Sequence, residues 1–283
     1  GGSGSGQTTL SCKDIYDADS GHENKAYTLN VNSEQISVYC HMVKADLEAC
    51  GGGGWTLVMK INGNKDTFHY DSKLWTNKNE LNPLGGETLL DQEAKETKLP
   101  TYWSTPFSKI CLAMKIGSQV NSIVVNKTAS SLYALIADGT EKRLTKKLGR
   151  HTWKKPIGQG ASLQTHCNRE GFNLKSADHH SEARIGIISN DESDCASPDS
   201  RIGFGTGGYP NGRNTCGNVA SVTWHPDNGE IQLNKRIAQN KHFFSVIPCP
   251  YHSWAYGRHL LSGHSLWHII VVVLDLDKSY SHG

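Results

Sequence analysis

The densest acidic run in this 283-residue sequence is Asn190-Asp191-Glu192-Ser193-Asp194, which ends at Cys195 and is followed within four residues by Asp199. Ionised carboxylates packed this closely repel one another, and each holds its proton more tightly as a result. A hard cation such as calcium, which takes about six to eight oxygen ligands, would relieve that repulsion. A solvated acidic turn has the same composition. The residue types alone leave both readings open.

Other candidate chemistry is weaker. Gly203-x-Gly205-x-x-Gly208 matches a dinucleotide fingerprint, but Tyr209-Pro210-Asn211-Gly212 follows it where a helix is required. His179-His180-Ser181-Glu182 offers metal ligands without the H-E-x-x-H spacing or an evident partner, and reads as an exposed polar turn. No G-x-S-x-G and no Ser/His/Asp set stands out, so the expectation is binding and not catalysis. Lys142, Arg143, Lys146, Lys147, Arg150, Lys154 and Lys155 form a basic run. It is either a solvated face or a contact for acidic or sulfated glycans. The net charge of +2 argues against nucleic acid as the main partner.

These groups need a scaffold, and the sequence supplies mostly strands. Tyr27–Val31 and Ile36–Cys40 alternate and read as a hairpin; Trp55–Ile61 is a strong strand bounded by glycines. Ile110–Ile116, Ser122–Val125, Leu132–Ala137 and Ala183–Ser189 are further strand candidates. Short helical turns fit Leu89–Lys98. The glycine-rich stretch from Cys195 to Gly229 reads as irregular loop, where function tends to sit.

Eight cysteines lie dispersed along the chain with no C-x-x-C pair. That pattern points to disulfides and an oxidising compartment. The sequon Asn126-Lys127-Thr128 agrees with secretion and makes Asn126 a candidate glycosylation site. Residues 1–10 have the Gly/Ser composition of a flexible linker or tag. The longest apolar run, Ile269–Leu274, is shorter than the roughly 20 residues of a membrane-spanning helix.

Three stretches carry a family resemblance. The first is Ser11-Cys12-Lys13-Asp14-Ile15, then Val38-Tyr39-Cys40-His41-Met42, then Gly51-Gly52-Gly53-Gly54-Trp55-Thr56-Leu57-Val58. In that order they resemble the opening of a fibrinogen C-terminal-type domain. The second, Ile188–Ala196, is similar to the acidic segment that precedes a cysteine in fibrinogen-like domains and in intelectins, where calcium binds. The third, Cys216-Gly217-Asn218-Val219-Ala220-Ser221-Val222-Thr223-Trp224, resembles the intelectin segment C-G-D-x-x-x-F-D-W, with Asn218 in place of the acidic residue. The intelectin Glu-His-His ligand motif is absent, and Arg201–Tyr209 stands in its place.

The resemblance implies an α+β fibrinogen-like domain with twisted antiparallel sheets, short helices and a long irregular loop region, stabilised by disulfides. It covers 11–229 and leaves 230–283 as a divergent tail outside the domain, with Cys249 lacking a native partner. It implies a Cys12–Cys40 disulfide. A Cys195–Cys216 bond clamping the glycine-rich loop is also expected, while the intelectin resemblance leaves other partners open for Cys216, Cys111 among them. Trp55 is expected in the core. Asn190, Asp191, Glu192, Asp194, Asp199 and Asn218 become candidate calcium ligands, with Tyr209 and Trp224 as candidate sugar-contacting side chains. The implied function is a secreted, extracellular, calcium-dependent lectin for glycans or glycoproteins, acting as a homo-oligomer. The alternative is an extracellular matrix or adhesion module that binds protein.

Overall fold

The computed structural model describes residues 11–208, apart from positions 46, 64, 90–94, 117, 159–160 and 162, together with strands at 216–220 and 267–274. Among the described residues the protein is α+β: two antiparallel sheets, a few short helices and three disulfides.

The first helix, α1 (Cys12–Ala18), starts on a capping box. Asp14 N donates to Ser11 Oγ (3.3 Å) and Ser11 N donates to Asp14 Oδ2 (3.0 Å). Strands β1 (Lys25–Val31) and β2 (Glu34–His41) form a hairpin closed by Asn32 and Ser33 at φ 51° and 68°, the left-handed values a two-residue hairpin turn requires. Every residue of β3 (Trp55–Asn62) is buried. Gly54, just before it, has φ +84°, and a Cβ there would meet Cys12 O at 2.7 Å and Lys13 Cα at 2.8 Å. Only glycine lets α1 lie this close to the entry of β3.

The chain continues through β4 (Thr97–Lys98), α2 (Thr101–Ser104), β5 (Phe107–Ile116), β6 (Gln119–Ala129), α3 (Leu132–Ile136), β7 (Lys142–Arg143), α4 (Arg150–Lys154), β8 (His166–Lys175), β9 (Glu182–Asn190), β10 (Ser200–Gly207), β11 (Cys216–Ala220) and β12 (Trp267–Leu274). The first sheet has the order β1-β2-β3-β12-β5-β6, with β4 against β3; the second has the order β11-β10-β9-β8-β7. One core contains Val58, Ile110 and Leu112 of the first sheet together with Phe172, Ile185 and Phe204 of the second. A second core gathers Cys12, Leu29, Trp55, Leu57 and Cys111. Each Val, Leu, Ile or Phe among them contributes about 1.5–3 kcal/mol on burial.

Several sequence expectations need correction. Leu132–Ile136 is a helix and not a strand, because Ser131 caps it by accepting from Ala134 N (3.0 Å) and Leu132, Leu135 and Ile136 share one buried face. Thr97 and Lys98 form a strand where helical turns were expected; positions 90–94 lie outside the described residues. The glycine-rich stretch is not all irregular, since β10 and β11 run through it. The boundary at 229 does not separate a tail from the domain either: β12 lies between β3 and β5 and pairs with both. No helix among the described residues is long and apolar enough to cross a membrane.

Candidate metal site

The acidic loop 191–199 connects β9 to β10. Its base is set by the register Ser189↔Ser200 and by Asp199 N donating to Ser189 O at 3.0 Å. β9 is buried along its whole length, so the loop leaves the sheet from a fixed platform. A disulfide between Cys167 and Cys195 (Cα–Cα 5.0 Å) ties the loop to the start of β8. The expected Cys195–Cys216 bond is thus excluded, because Cys195 is already paired with Cys167. The other two disulfides are Cys12–Cys40 (Cα–Cα 5.4 Å) and Cys50–Cys111 (Cα–Cα 5.9 Å).

The loop brings Asp191, Glu192 and Asp199 together, with one carboxylate oxygen of each within 4.8 Å of the others. Gln164, fully buried, donates from Nε2 to Asp191 Oδ1 at 3.3 Å. Gln164 is itself held by its backbone N–H on Ser200 Oγ (3.1 Å), whose hydroxyl donates to Ser189 O (3.1 Å). Asp199 is 8% exposed, and burial raises its pKa above the usual carboxylate range. The His180 hydrogen bond opposes that rise, while repulsion from Asp191 and Asp178 adds to it.

Asp194 is turned to other work. Its Oδ1 accepts from Ala196 N (2.9 Å) and its Oδ2 from Ser197 Oγ (2.7 Å), which lowers its pKa, and it is not among the clustered carboxylates. Asn190 is buried: its Nδ2 donates to Asp194 O (2.7 Å) and its Oδ1 accepts from Asp191 N (2.9 Å). These two residues shape the loop. Asn218 lies in β11 opposite Ile202, two positions in from the loop end of the β10–β11 ladder. Tyr209 and Trp224 lie outside the described residues.

The fold adds two groups that the sequence did not single out for this site. His180 Nδ1 lies 3.0 Å from Asp178 Oδ2 and 3.4 Å from Asp199 Oδ1, so Asp178, His180 and Asp199 form a second cluster sharing Asp199 with the first. The turn carrying them is braced from below by the buried Arg201, whose Nη1 donates to His180 O at 2.9 Å. At Gly208, a Cβ would lie 2.3 Å from that same carbonyl oxygen. The His-His-Ser-Glu run was the available signal, and its missing partner, Asp199, arrives only through the β9–β10 connection. The first cluster is all oxygen and fits a hard cation; the second adds an imidazole nitrogen, which calcium does not favour.

Fold and site together define a disulfide-bonded α+β protein with two antiparallel sheets and a pinned acidic loop on the second. The sequence matches no protein-family model, and no curated protein matches it.

Proposed function

We propose that this chain is a secreted, calcium-dependent carbohydrate-binding protein of fibrinogen-like, intelectin-like fold, acting through loop 191–199. The observation that carries this reading is the meeting of Asp191, Glu192 and Asp199 on a loop fixed by the Cys167–Cys195 disulfide and by Gln164. These three carboxylates would hold the ion, with loop carbonyls as further oxygen donors. A bound cation would offset the repulsion that, with burial, raises the Asp199 pKa. A sugar diol is a pair of neutral oxygen ligands, so it can complete the shell of a calcium ion that the protein leaves partly open. Three disulfides support an oxidising compartment. Weak single sites favour an oligomer, which gains avidity on a repetitive glycan.

The test is retention of the full chain on immobilised sugars across a glycan array, with calcium and with a chelator. Binding to at least one sugar in calcium, lost in chelator, is the expected result. Protein-ligand retention that ignores the chelator, with no sugar bound, favours the matrix or adhesion reading.

A further inference from the structure

We propose that residues 142–155 form a second, calcium-independent binding surface whose ligand is a sulfated polysaccharide. Charge segregation is the first reason. Between Glu141 and Glu170 the sequence holds eight lysines and arginines and not one aspartate or glutamate, in a chain whose net charge is only +2. The rest of the molecule therefore carries a net −6 (+2 less +8). Cations collected on one segment of a near-neutral protein set up a local positive field that the overall charge conceals.

The structure then separates the committed cations from the available ones. Lys142 pairs with Asp138, and Arg143 with Glu141 (2.7 Å). The Arg150 guanidinium donates inward to Leu163 O and Gln164 O. Lys146, Lys147 and Lys155 are exposed and form no ion pair among the described residues; Lys147 makes only a hydrogen bond to Asn168 O (3.2 Å).

The segment is also rigidly mounted. Glu170, 2% exposed, accepts from Leu148 N (2.7 Å), Gly149 N (3.2 Å) and Trp153 Nε1 (3.1 Å). Leu144 N donates to Glu170 O (2.8 Å), and Leu144, Trp153 and Ile157 enter the core. Glu170 is thus spent on holding the segment's backbone and the Trp153 ring and does not neutralise its surface. A segment whose backbone is already fixed loses less entropy on meeting a polyanion than a flexible tail would.

The same observations choose among polyanions. Trp153 is the only Phe, Trp or Tyr between 142 and 169, and it is buried, so the segment exposes none of the large aromatic rings on which single-stranded bases stack best. Among the described residues the exposed large hydrophobics are Val43 and Leu84, neither in this segment, so nothing here inserts into a bilayer. Three disulfides put the chain where sulfated polysaccharides are found and nucleic acids are scarce. The surface shares no residue with loop 191–199, so it stands whether or not that loop binds calcium.

The experiment is a binding titration of the full chain against heparin at several salt concentrations, with calcium and with EDTA. Desulfated heparin, duplex DNA and phosphatidylserine vesicles are the comparison arms. Heparin should bind at about 0.15 M salt, at least about tenfold tighter than each comparison arm, and EDTA should change nothing. In the variant Lys146→Ala/Lys147→Ala/Lys155→Ala the affinity should fall about tenfold or more, and the slope of log affinity against log salt should flatten by about three, roughly one per lysine. The control Lys25→Ala/Lys44→Ala, at exposed lysines elsewhere, should bind as the unaltered chain does. Absence of heparin binding, equal or tighter binding to DNA or vesicles, loss in EDTA, or an unchanged slope in the triple variant would each overturn the proposal.

Discussion

Lys98 shows how far one side chain can be drawn from its ordinary chemistry. It is fully buried on β4, donates to Asn77 O (2.7 Å) and Asn77 Oδ1 (3.0 Å), and lies over the rings of Tyr102 (4.8 Å) and Trp103 (5.6 Å). Burial lowers its pKa from 10.5 to about 8. Between those values the unfolded chain holds a proton that the folded one does not, so stability rises with pH across the window, by about 3 kcal/mol for this group. Burial acts in the opposite sense on Tyr70, pushed up to about 12, and lowers stability above pH 10. Denaturant melts from pH 7 to 10 should show the rise, and Lys98→Met should flatten it. At the acidic loop the residue scale separates the clustered carboxylates from the groups that shape the loop. Asp191→Ala should abolish most of any calcium-induced stabilisation, whereas Asp194→Ala, which removes a loop-shaping turn and not one of the clustered carboxylates, should weaken it less; calcium titrations monitored by thermal melting decide this. That Asp191 and Glu192 lie together was legible because they are adjacent. That Asp194 stands apart from them was not, because nothing in the run says that its oxygens accept from Ala196 and Ser197. His180 was visible within a His-His-Ser-Glu run, but its grouping with Asp178 and Asp199 was not, because Asp199 is distant in sequence.

At the scale of elements, the glycines account for the largest differences between sequence and structure. A glycine-rich stretch ordinarily reads as loop. Here Gly171, Gly186, Gly203 and Gly217 line up across β8, β9, β10 and β11, and a Cβ on Gly186 or Gly203 would come within about 2.3 Å of a neighbouring carbonyl oxygen. The glycines serve close strand packing, which no local pattern announces. β3 was legible because a β-branched, aromatic run bounded by glycines has few other folds. α3 was not, because five apolar-rich residues fit either period and only the Ser131 cap decides. The Cys167–Cys195 disulfide closes a loop of 28 positions, worth about 3–4 kcal/mol on loop-entropy grounds. Replacing both cysteines with serine should lower stability by that order in a denaturant melt. It should also weaken calcium binding, since the acidic loop loses its tie to β8.

At the scale of the molecule, the first sheet depends on a strand from near the far end of the chain. β12 sits between β3 and β5, pairing Ile269 with Ile61 and with Met114. Its apolar run, Ile269–Leu274, was visible in the sequence, but nothing local said which strands it would join. A chain ending at Gly229 leaves β3 and β5 without their shared neighbour. It should fail to give a cooperative melt, while the full chain gives one; a truncated protein that melts cooperatively near the same temperature would count against this placement. A thermal melt of the full chain in 10 mM calcium against chelator tests the proposed calcium site on the acidic loop directly, 10 mM being about 10–100 times the dissociation constants of about 0.1–1 mM typical of extracellular modules. At that excess, mass action gives about 1.4–2.7 kcal/mol of added stability and a rise in melting temperature of about 3–10 °C. Identical melting temperatures in the two conditions would contradict the calcium site and the lectin reading built on it.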